Sequence, residues 1–520
     1  MTDITASTDV ERIPAQTRSV DDPIDHGYPA VTSQPDPRRW LALGIIAIAQ
    51  LMIVLDGTVV NIALPLAGTE LGIAPENRHW AVTAYTLTFG GLLLLGGRIA
   101  DYVGRKKVFI IGLLGFAAAS GLGGLTPNQE LLFASRGLQG LFAALLAPAA
   151  LALLTVTFTE PKERATAFGV FGAISGGGAA IGLILGGALT EYADWRWTLG
   201  INVPIAVGTA LAAAAFVHES KARGDTRYDV PGAVLATLGL VSLVYGFTEA
   251  AKEDVGWTGG STLAYLGAAA VLLVAFLVVE TRVSNPLLPL RILTDRNRGG
   301  SYLTFLFLAA GLFAMFLFLT YYFQVVLGYS PLKSGFAFLP FSFGIIVAAG
   351  VVAKLLPVVG PRPLIASGLT MATVGMFLLT QLDPSSSYTW GVLPSLVIMS
   401  TGLAAVFIPT SSTALYGVSG HDAGVASALL NTSQQVGASL GLALLNTLYA
   451  SAVADYMADK RLGLVESPFG PQPPADALTH GYTVAFFWGA VMFVIALVLS
   501  VVFINARRHD VSADDGMVLV

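Results

Sequence analysis

Two charged side chains and one amide lie inside apolar stretches of this sequence. Asp56 falls within LDGTVVNIALP at 55–65, Arg136 opens RGLQGLFAALLAP at 136–148, and Gln139 follows three residues later on the same helical face. Burial favours the neutral form of a carboxyl group, whereas a nearby cation favours the carboxylate. A carboxyl held between these influences can bind and release protons near neutral pH. A static ion pair joining two helices is the alternative interpretation.

The composition indicates that the elements carrying these residues cross a membrane. Of 520 residues, 54% are hydrophobic and 12% are charged, against about 25% charged in soluble domains. Apolar stretches of about 18 residues or more, typical of membrane spans, recur along the chain. The net charge of -5 gives no indication of a nucleic-acid partner, and the absence of cysteine excludes disulfides and thiol catalysis. The polar first 37 residues indicate a soluble tail and not a signal peptide.

The apolar runs predict an all-α membrane protein of fourteen helices. We place the helices at 41–65, 79–100, 108–126, 131–157, 165–190, 198–217, 230–248, 261–281, 299–326, 334–356, 364–381, 391–416, 424–452 and 481–505. An even number puts both termini on one side. Of 28 Lys and Arg residues, 21 fall on that side, Arg136 lies inside a span, and six lie opposite: Arg78, Arg196, Lys252, Lys333, Lys460 and Arg461. The excess of positive residues predicts that both termini are cytoplasmic.

The loop after the second span, GGRIADYVGRKK, has a specific spacing of glycine and charge. Gly97, Asp101, Gly104, Arg105 and Lys106 match G-x-x-x-D-x-x-G-R-[RK], and this pattern resembles the loop signature of the major facilitator superfamily. The resemblance implies a cytoplasmic latch in which the aspartate faces a helix N-terminus and basic partners. Such attraction is typically worth about 0.3–1 kcal/mol, enough to bias two conformations.

Three further stretches narrow the resemblance to the fourteen-spanner drug:proton antiporters. They are LDGTVVNIALP, RGLQGLFAALLAP and WRWTLGINVP at 195–204. This family implies a proton-coupled exporter of amphiphilic drug-like or antibiotic compounds that works by alternating access in the cell membrane as a monomer. It assigns proton coupling to Asp56, Arg136 and Gln139. It also implies two pseudo-symmetric six-helix halves around two inserted helices, hence tails at 1–39 and 506–520, halves at 40–217 and 299–505, and the insertion at 218–298.

The fifth span departs from the antiporter motif G-P-x-x-G-G. Gly182, Gly186 and Gly187 match, but Leu183 occupies the position of the proline. Gly178, Gly182 and Gly186 still form a face of small residues that permits close helix packing. A pure packing role and a gating hinge both remain open for these glycines.

Polar and aromatic residues inside other spans are candidates for a substrate cavity. The set comprises Asn61, Tyr85, Thr86, Phe316, Tyr321, Tyr322, Asn431 and Gln435. Each polar member has an alternative role as an interhelical hydrogen-bond partner. Three glutamates fall near span ends: Glu191, Glu249 and Glu280. The simplest interpretation is that their side chains extend to water at the membrane surface. The alternative is that one of them is a second acid that binds cationic substrates.

The sequence lacks the residues and motifs that other functions would require. An intramembrane enzyme lacks a clustered metal-ligand set or a nucleophile with a base, and we expect no metal and no cofactor. The sequence contains no filter-like repeat of the kind that would indicate a channel. It also contains no Walker motif, which would indicate transport driven by ATP. Energy must then come from an ion gradient, with protons favoured over Na⁺. A proton-coupled importer of a small metabolite remains the alternative function, supported by Leu183.

Overall fold

Fourteen helices in the described part of the chain, numbered α1 to α14, are long and apolar enough to cross a membrane in this computed structural model. The structure describes residues 38–221, 229–252, 254–283, 286–288, 290–418 and 423–506. The predicted tails fall almost entirely outside them. The helices are Arg39–Glu70, Pro75–Val103, Arg105–Gly124, Gln129–Thr157, Thr166–Tyr192, Trp197–Phe216, Val230–Ala250, Gly260–Glu280, Arg296–Val326, Pro331–Val359, Pro361–Gln381, Tyr388–Leu415, Val425–Lys460 and Ala475–Phe503.

The predicted number of spans is confirmed, but several helices are longer than predicted. α1 runs to Glu70 instead of 65, and α13 runs to Lys460 instead of 452. Apolarity marks only the part of a helix inside lipid. The i to i−4 hydrogen bonds continue into polar sequence, because they join backbone groups and do not require apolar side chains.

The packing partners reveal two related halves. In the first half α1 packs on α5, α2 and α3 pack on α4, and α3 packs on α6. In the second half the matching pairs are α9 on α13, α10 and α11 on α12, and α11 on α14. The halves meet through α2 on α13 and through α5 on α10, which are equivalent contacts with the halves exchanged. This is the pseudo-symmetric architecture that the family resemblance implies.

The inserted helices α7 and α8 pack on each other, and α7 also contacts both halves. α7 lies against α2 and against α13. Thr447 on α13 donates a hydrogen bond of 2.7 Å to the carbonyl of Phe247 on α7. We call the end of the bundle where α1 begins and α14 ends the terminus end, and the opposite end the far end. Thr447 and Phe247 lie toward the far end.

Candidate functional site

Asp56 is fully buried and receives hydrogen bonds from three side chains on two other helices. Arg136 Nη1 on α4 lies 2.6 Å from Oδ2, Gln139 Nε2 on α4 lies 2.9 Å from Oδ1, and Asn202 Nδ2 on α6 lies 2.8 Å from Oδ1. Both charged side chains have no exposed surface. The structure therefore brings together the three residues of the predicted proton-coupling site and adds Asn202.

A second set of contacts fixes the donors around Asp56. Arg136 Nε donates to the Ala81 carbonyl on α2 at 2.8 Å, and its Nη1 also lies 2.8 Å from Gln139 Oε1. The guanidinium carbon sits 4.5 Å from the centre of the Tyr85 ring. Gln139 Nε2 bonds Ser120 on α3 at 2.7 Å. Five helices thus converge on one carboxylate.

The donors around Asp56 are those that suit a carboxylate in a closed site. Charge-assisted hydrogen bonds to a carboxylate are the strong ones, and here Oδ2 bonds the guanidinium while Oδ1 bonds two amides. A proton that binds at Oδ2 must displace Arg136. The released guanidinium keeps the Ala81 carbonyl, Gln139 Oε1 and the Tyr85 ring as partners. Protonation of Asp56 and movement of Arg136 are therefore linked.

Sequence reasoning missed Asn202 and Ser120 as members of this cluster. Asn202 lies within WRWTLGINVP and is an amide inside an otherwise apolar helix. This contrast in polarity could have identified it from the sequence. Ser120 gives no such signal, because serine often bonds its own helix. The start of the same stretch is bound to the end of α1. Trp195 Nε1 and Arg196 Nη1 donate hydrogen bonds to the Glu70 carboxylate at 2.6 and 2.7 Å.

The predicted latch loop is bound within the first half in this structure. Asp101 Oδ1 accepts from Arg105 Nε at 2.9 Å and Nη2 at 2.8 Å, and Arg105 is its only hydrogen-bonding partner among the described residues. The Glu219 carboxylate accepts from the backbone N–H groups of Lys106 and Lys107, both at 3.1 Å. It thereby caps the N-terminus of α3.

Gly104 serves close approach and backbone shape in that loop, whereas the space beside Gly97 would admit a Cβ at ordinary contact distance. Gly104 has φ +130°, and a Cβ there would lie 2.8 Å from Glu219 Oε2. A Cβ on Gly97 would lie 3.5 Å from Pro148 on α4. Nearby, Arg39 donates two hydrogen bonds of 2.7 Å to Glu163, and these hold the pKa of Glu163 below its ordinary value. The terminus end is thus tied within the first half by charge.

Of the four α5 glycines in the predicted motif, three pack on α1 and the fourth packs on the second half. A Cβ on Gly178 would lie 2.9 Å from Val54 Cγ1, one on Gly182 would overlap Thr58 Oγ1, and one on Gly186 would lie 2.9 Å from the Val59 carbonyl. Gly187 instead approaches α10, where a Cβ would lie 2.7 Å from Leu332 Cα. Leu183 is buried at this contact, and its carbonyl lies where a Cβ on Gly335 would be.

We predict that Gly186→Val destabilises the protein by about 1–3 kcal/mol, the usual range for overpacking. Two of the three obstructing atoms at Gly186, the oxygen and Cα of Val59, belong to the α1 backbone and cannot rotate away. Gly177→Val is the matched control, because nothing lies within 4 Å of a Cβ there. Thermal unfolding of the purified variants in detergent measures the difference. Equal melting temperatures for the two variants would contradict close packing of α5 on α1.

The predicted cavity residues do not meet on one surface. Tyr85 belongs to the Asp56 cluster, and Thr86 bonds Ser439 on α13 at 2.7 Å. Tyr322 is buried in the second half and donates to the Asp383 carbonyl at 2.8 Å. The others lie apart: Asn61 is buried on α1, Phe316 packs on Phe338 and Phe341, Tyr321 lies below Arg78, Gln435 touches Gly90, and Asn431 is exposed on α13.

The two halves are joined at the far end by hydrogen bonds that cross between them. Gln324 Nε2 donates to the Ile62 carbonyl at 2.8 Å. Asn446 Nδ2 on α13 lies 3.3 and 3.2 Å from the carbonyls of Pro75 and Glu76. With the contacts of Gly187 on Leu332, these interactions form what we call the far-end seam.

Known proteins resemble this chain over most of its length. A sequence profile described as Major Facilitator Superfamily matches residues 46–442. A puromycin resistance protein of Streptomyces alboniger is 47% identical over 483 residues, 92% of this chain and 94% of that protein. A cephamycin export protein of Amycolatopsis lactamdurans is 38% identical over 417 residues, 79% of this chain and 85% of that protein. A solved bacterial homolog of the human lysosomal transporter Spinster has a TM-score of 0.62 at 15% identity, over 92% of this chain and 99% of that one.

Proposed function

This chain belongs to the major facilitator superfamily, and from that membership we propose that it exports amphiphilic antibiotic-like compounds from the cell in exchange for protons. The protein is a multi-pass membrane transporter of small molecules and not an enzyme. Export is supported by relatives whose names are puromycin resistance and cephamycin export. The observation that carries proton exchange is the buried Asp56, held by Arg136, Gln139 and Asn202.

The proposed cycle uses the competition between a proton and Arg136 for Asp56. When Asp56 is ionised, it draws α1, α4 and α6 together through Arg136, Gln139 and Asn202. When Asp56 binds a proton, the guanidinium is released and these helices lose a strong mutual restraint. A state open to the outside loads the proton, and a state open to the cytoplasm releases it. Substrate leaves as the proton enters, which is antiport.

Alternating access requires that the two ends open in turn, and each end has a device suited to it. The far-end seam holds one end closed through contacts that are few and mostly uncharged, and such contacts can break and re-form. At the terminus end we propose that Asp101, freed from Arg105, reaches the start of a helix in the other half when that end closes. Gly97, Gly104 and Lys106 keep this loop in shape. We propose that Gly178, Gly182 and Gly186 let α5 move against α1 during this change.

The substrate path is proposed to run between the halves along α1, α2, α9 and α13. Asn61, Thr86, Asn431 and Gln435 supply polar contacts along it, with Phe316 and Tyr321 as the apolar surface. Asn61, Tyr85, Thr86, Tyr321 and Tyr322 line it only after the halves have moved, because all five are buried here. Loose polar contacts and apolar surface suit a transporter of several amphiphiles.

Transport into proteoliposomes tests this function and separates it from the alternative of import. With an acidic lumen, protons leave and an antiporter accumulates puromycin inside; with an alkaline lumen, a symporter would do so. Because exchange is reversible, random insertion does not change the direction. Protein-free liposomes under the same gradient correct for passive trapping of a weak base. Accumulation only with an alkaline lumen would establish import. Cephamycin, as an acidic compound, provides a second substrate that passive trapping does not mimic.

Weakening the far-end seam is expected to expose the interior from the far end. Asn446→Ala removes the hydrogen bonds to Pro75 and Glu76. The chain has no cysteine, so Ser439→Cys, buried beside Thr86, reports access without further substitutions. We expect a membrane-impermeant maleimide added outside intact cells to label this cysteine several-fold faster with Asn446→Ala. Asn431→Ala is the amide control, since among the described residues Asn431 hydrogen-bonds only to its own helix, at the Ser427 carbonyl. Equal labelling rates would show that Asn446 does not hold the seam.

We further propose that both termini are cytoplasmic, that the five predicted domain limits hold, and that the protein works as a monomer. The excess of basic residues at the terminus end supports the orientation. Glu466→Cys at the far end is then labelled from outside intact cells, and Lys107→Cys at the terminus end is labelled only after permeabilisation. The reverse pattern would invert the topology. Mass photometry in lipid nanodiscs reports the number of chains.

A further inference from the structure

A second pair of acidic side chains is buried where the inserted helices meet at the terminus end. Asp229 immediately precedes α7, and Glu280 is the last residue of α8. Both are almost fully buried, with 2% and 4% exposed surface. Neither belongs to the Asp56 cluster, which lies in the first half.

One oxygen of each carboxyl group is bonded, and the other is not. Asp229 Oδ1 accepts from the Gly232 N–H at 2.8 Å, and Glu280 Oε2 accepts from the Leu288 N–H at 2.9 Å. Asp229 Oδ2 and Glu280 Oε1 are buried and have no hydrogen-bond partner among the described residues. These are unsatisfied acceptors in a place that water does not reach, which is costly.

The two unsatisfied oxygens point at each other. A Cβ on Gly232 would overlap Asp229 Oδ2 and would lie 2.9 Å from Glu280 Oε1, so both oxygens adjoin one point. Glycine at position 232 leaves the room that they occupy. Two ionised carboxylates cannot persist at such separation without a cation, because like charges in a buried site repel strongly.

No neighbouring cation supplies that charge in the described structure. Arg282 and Arg291, in the segments beside the pair, are exposed, and no salt bridge between described residues joins Arg98 on α2 to either acid. Asp101 on α2 is bonded to Arg105. α13, which also packs on α7, has no titratable side chain from Val425 to Gln435.

A metal ion is a poor fit for the same space. Calcium and magnesium take six or more oxygen ligands. Among the described residues there is no group of three or more His, Cys, Asp or Glu side chains arranged to hold a metal. The remaining ligand that satisfies two facing carboxylate oxygens is a single proton, which converts their repulsion into a short charge-assisted hydrogen bond.

We propose that Asp229 and Glu280 form a proton-binding site that clamps the terminus ends of α7 and α8 together. One carboxyl donates the shared proton, and the other accepts it. The Gly232 and Leu288 N–H groups hold the two outer oxygens, so that the clamp also fixes the segment leading to α9. Loss of the proton places two negative charges side by side and opens this junction. The site is independent of Asp56.

Infrared spectroscopy of the purified full chain in nanodiscs tests the proposal directly. The Asp56→Asn variant serves as the background, so that the proposed transport site contributes no carboxyl signal. At neutral pH we expect the carbonyl stretch of a protonated carboxyl group in this background, and its loss on adding Asp229→Asn and Glu280→Gln. Adding Glu249→Gln instead is the matched control, because Glu249 is paired with Lys252 at the far end of α7. An undiminished band after the two substitutions, or no band in the background, overturns the proposal.

Thermal unfolding provides a second readout that does not depend on transport. The folded pair keeps a proton that the unfolded carboxyl groups release above about pH 4, so the melting temperature falls as pH rises from about 4 to the pH at which the folded pair loses its proton, and this contribution does not change above that pH. Glu280→Gln retains a hydrogen-bond donor and carries no charge, and we expect it to lose most of this pH dependence. Asp229→Asn serves the same purpose if Glu280→Gln expresses poorly. The full pH dependence of melting temperature in both variants, equal to that of the wild type, contradicts a shared proton.

Discussion

Asp56→Asn is expected to abolish substrate accumulation driven by a pH gradient. The amide keeps the size of the side chain and can still accept from Gln139 or Asn202, but it cannot bind and release a proton. The variant should therefore fold, bind substrate and exchange it down its own gradient, while the imposed proton gradient no longer moves substrate uphill. The measurement is puromycin uptake into proteoliposomes with an acidic lumen, beside counterflow of labelled puromycin without a gradient.

Asp459→Asn is the matched control for this experiment. It removes one carboxylate from an exposed site near the end of α13, where the side chain is 77% exposed. We expect its uphill uptake to equal that of the wild type. Undiminished uphill uptake by Asp56→Asn would leave Asp56 and Arg136 as a static pair and end the proton-carrier hypothesis. Loss of counterflow as well would indicate a folding defect in place of uncoupling.

Arg136→Ala is expected to lower the free energy of unfolding by about 3–5 kcal/mol, the usual cost of removing one partner of a buried ion pair. It leaves Asp56 buried without its cation and leaves the Ala81 carbonyl without the Arg136 donor. Arg136→Lys should rescue this only in part, because lysine has no planar fork to reach Ala81, Asp56 and Gln139 together. Thermal or denaturant unfolding in detergent measures each variant.

The double variant Asp56→Asn with Arg136→Gln separates an unpaired charge from lost packing. Removing both charges leaves no uncompensated ion, so we expect it to be clearly more stable than Arg136→Ala. Arg282→Ala, which removes an exposed arginine, should change the melting temperature little. If Arg136→Ala lowers the stability no more than Arg282→Ala does, the Asp56–Arg136 ion pair does not hold α1 against α4.

The fold was predictable because lipid leaves few choices. Within a bilayer each backbone polar group must bond internally, so every long apolar run becomes a helix. The count of fourteen and the two-half architecture followed from this rule and the loop signature, and both are confirmed. Helix ends such as Glu70 and Lys460 were not predictable, since hydropathy marks the membrane boundary and not the end of a helix.

The charged residues of the proposed proton-coupling site were visible for an equally direct reason. A carboxylate or guanidinium inside a membrane span is costly, so it stands out against an apolar background. Asp56 and Arg136 were found that way, and Gln139 was found from its position three residues after Arg136 on the same helical face. The proposed cavity residues were not brought together, because hydroxyls, amides and aromatic rings serve packing as readily as recognition. Thr86 bonds Ser439 and Tyr322 bonds the Asp383 carbonyl.

The sequence by itself therefore determined the membrane class, the number of helices, the family and the charged residues at depth. Only the tertiary structure decided which distant side chains meet: Asn202 and Ser120 joining Asp56 and Gln139, Gly187 facing Leu332, and Asp229 facing Glu280. The physical reason for this difference is that the free-energy cost of burying a charge depends on one residue and its own apolar segment, and both can be read from the sequence. A hydrogen bond or a backbone approach between helices depends on packing angles and rotations that no single segment contains.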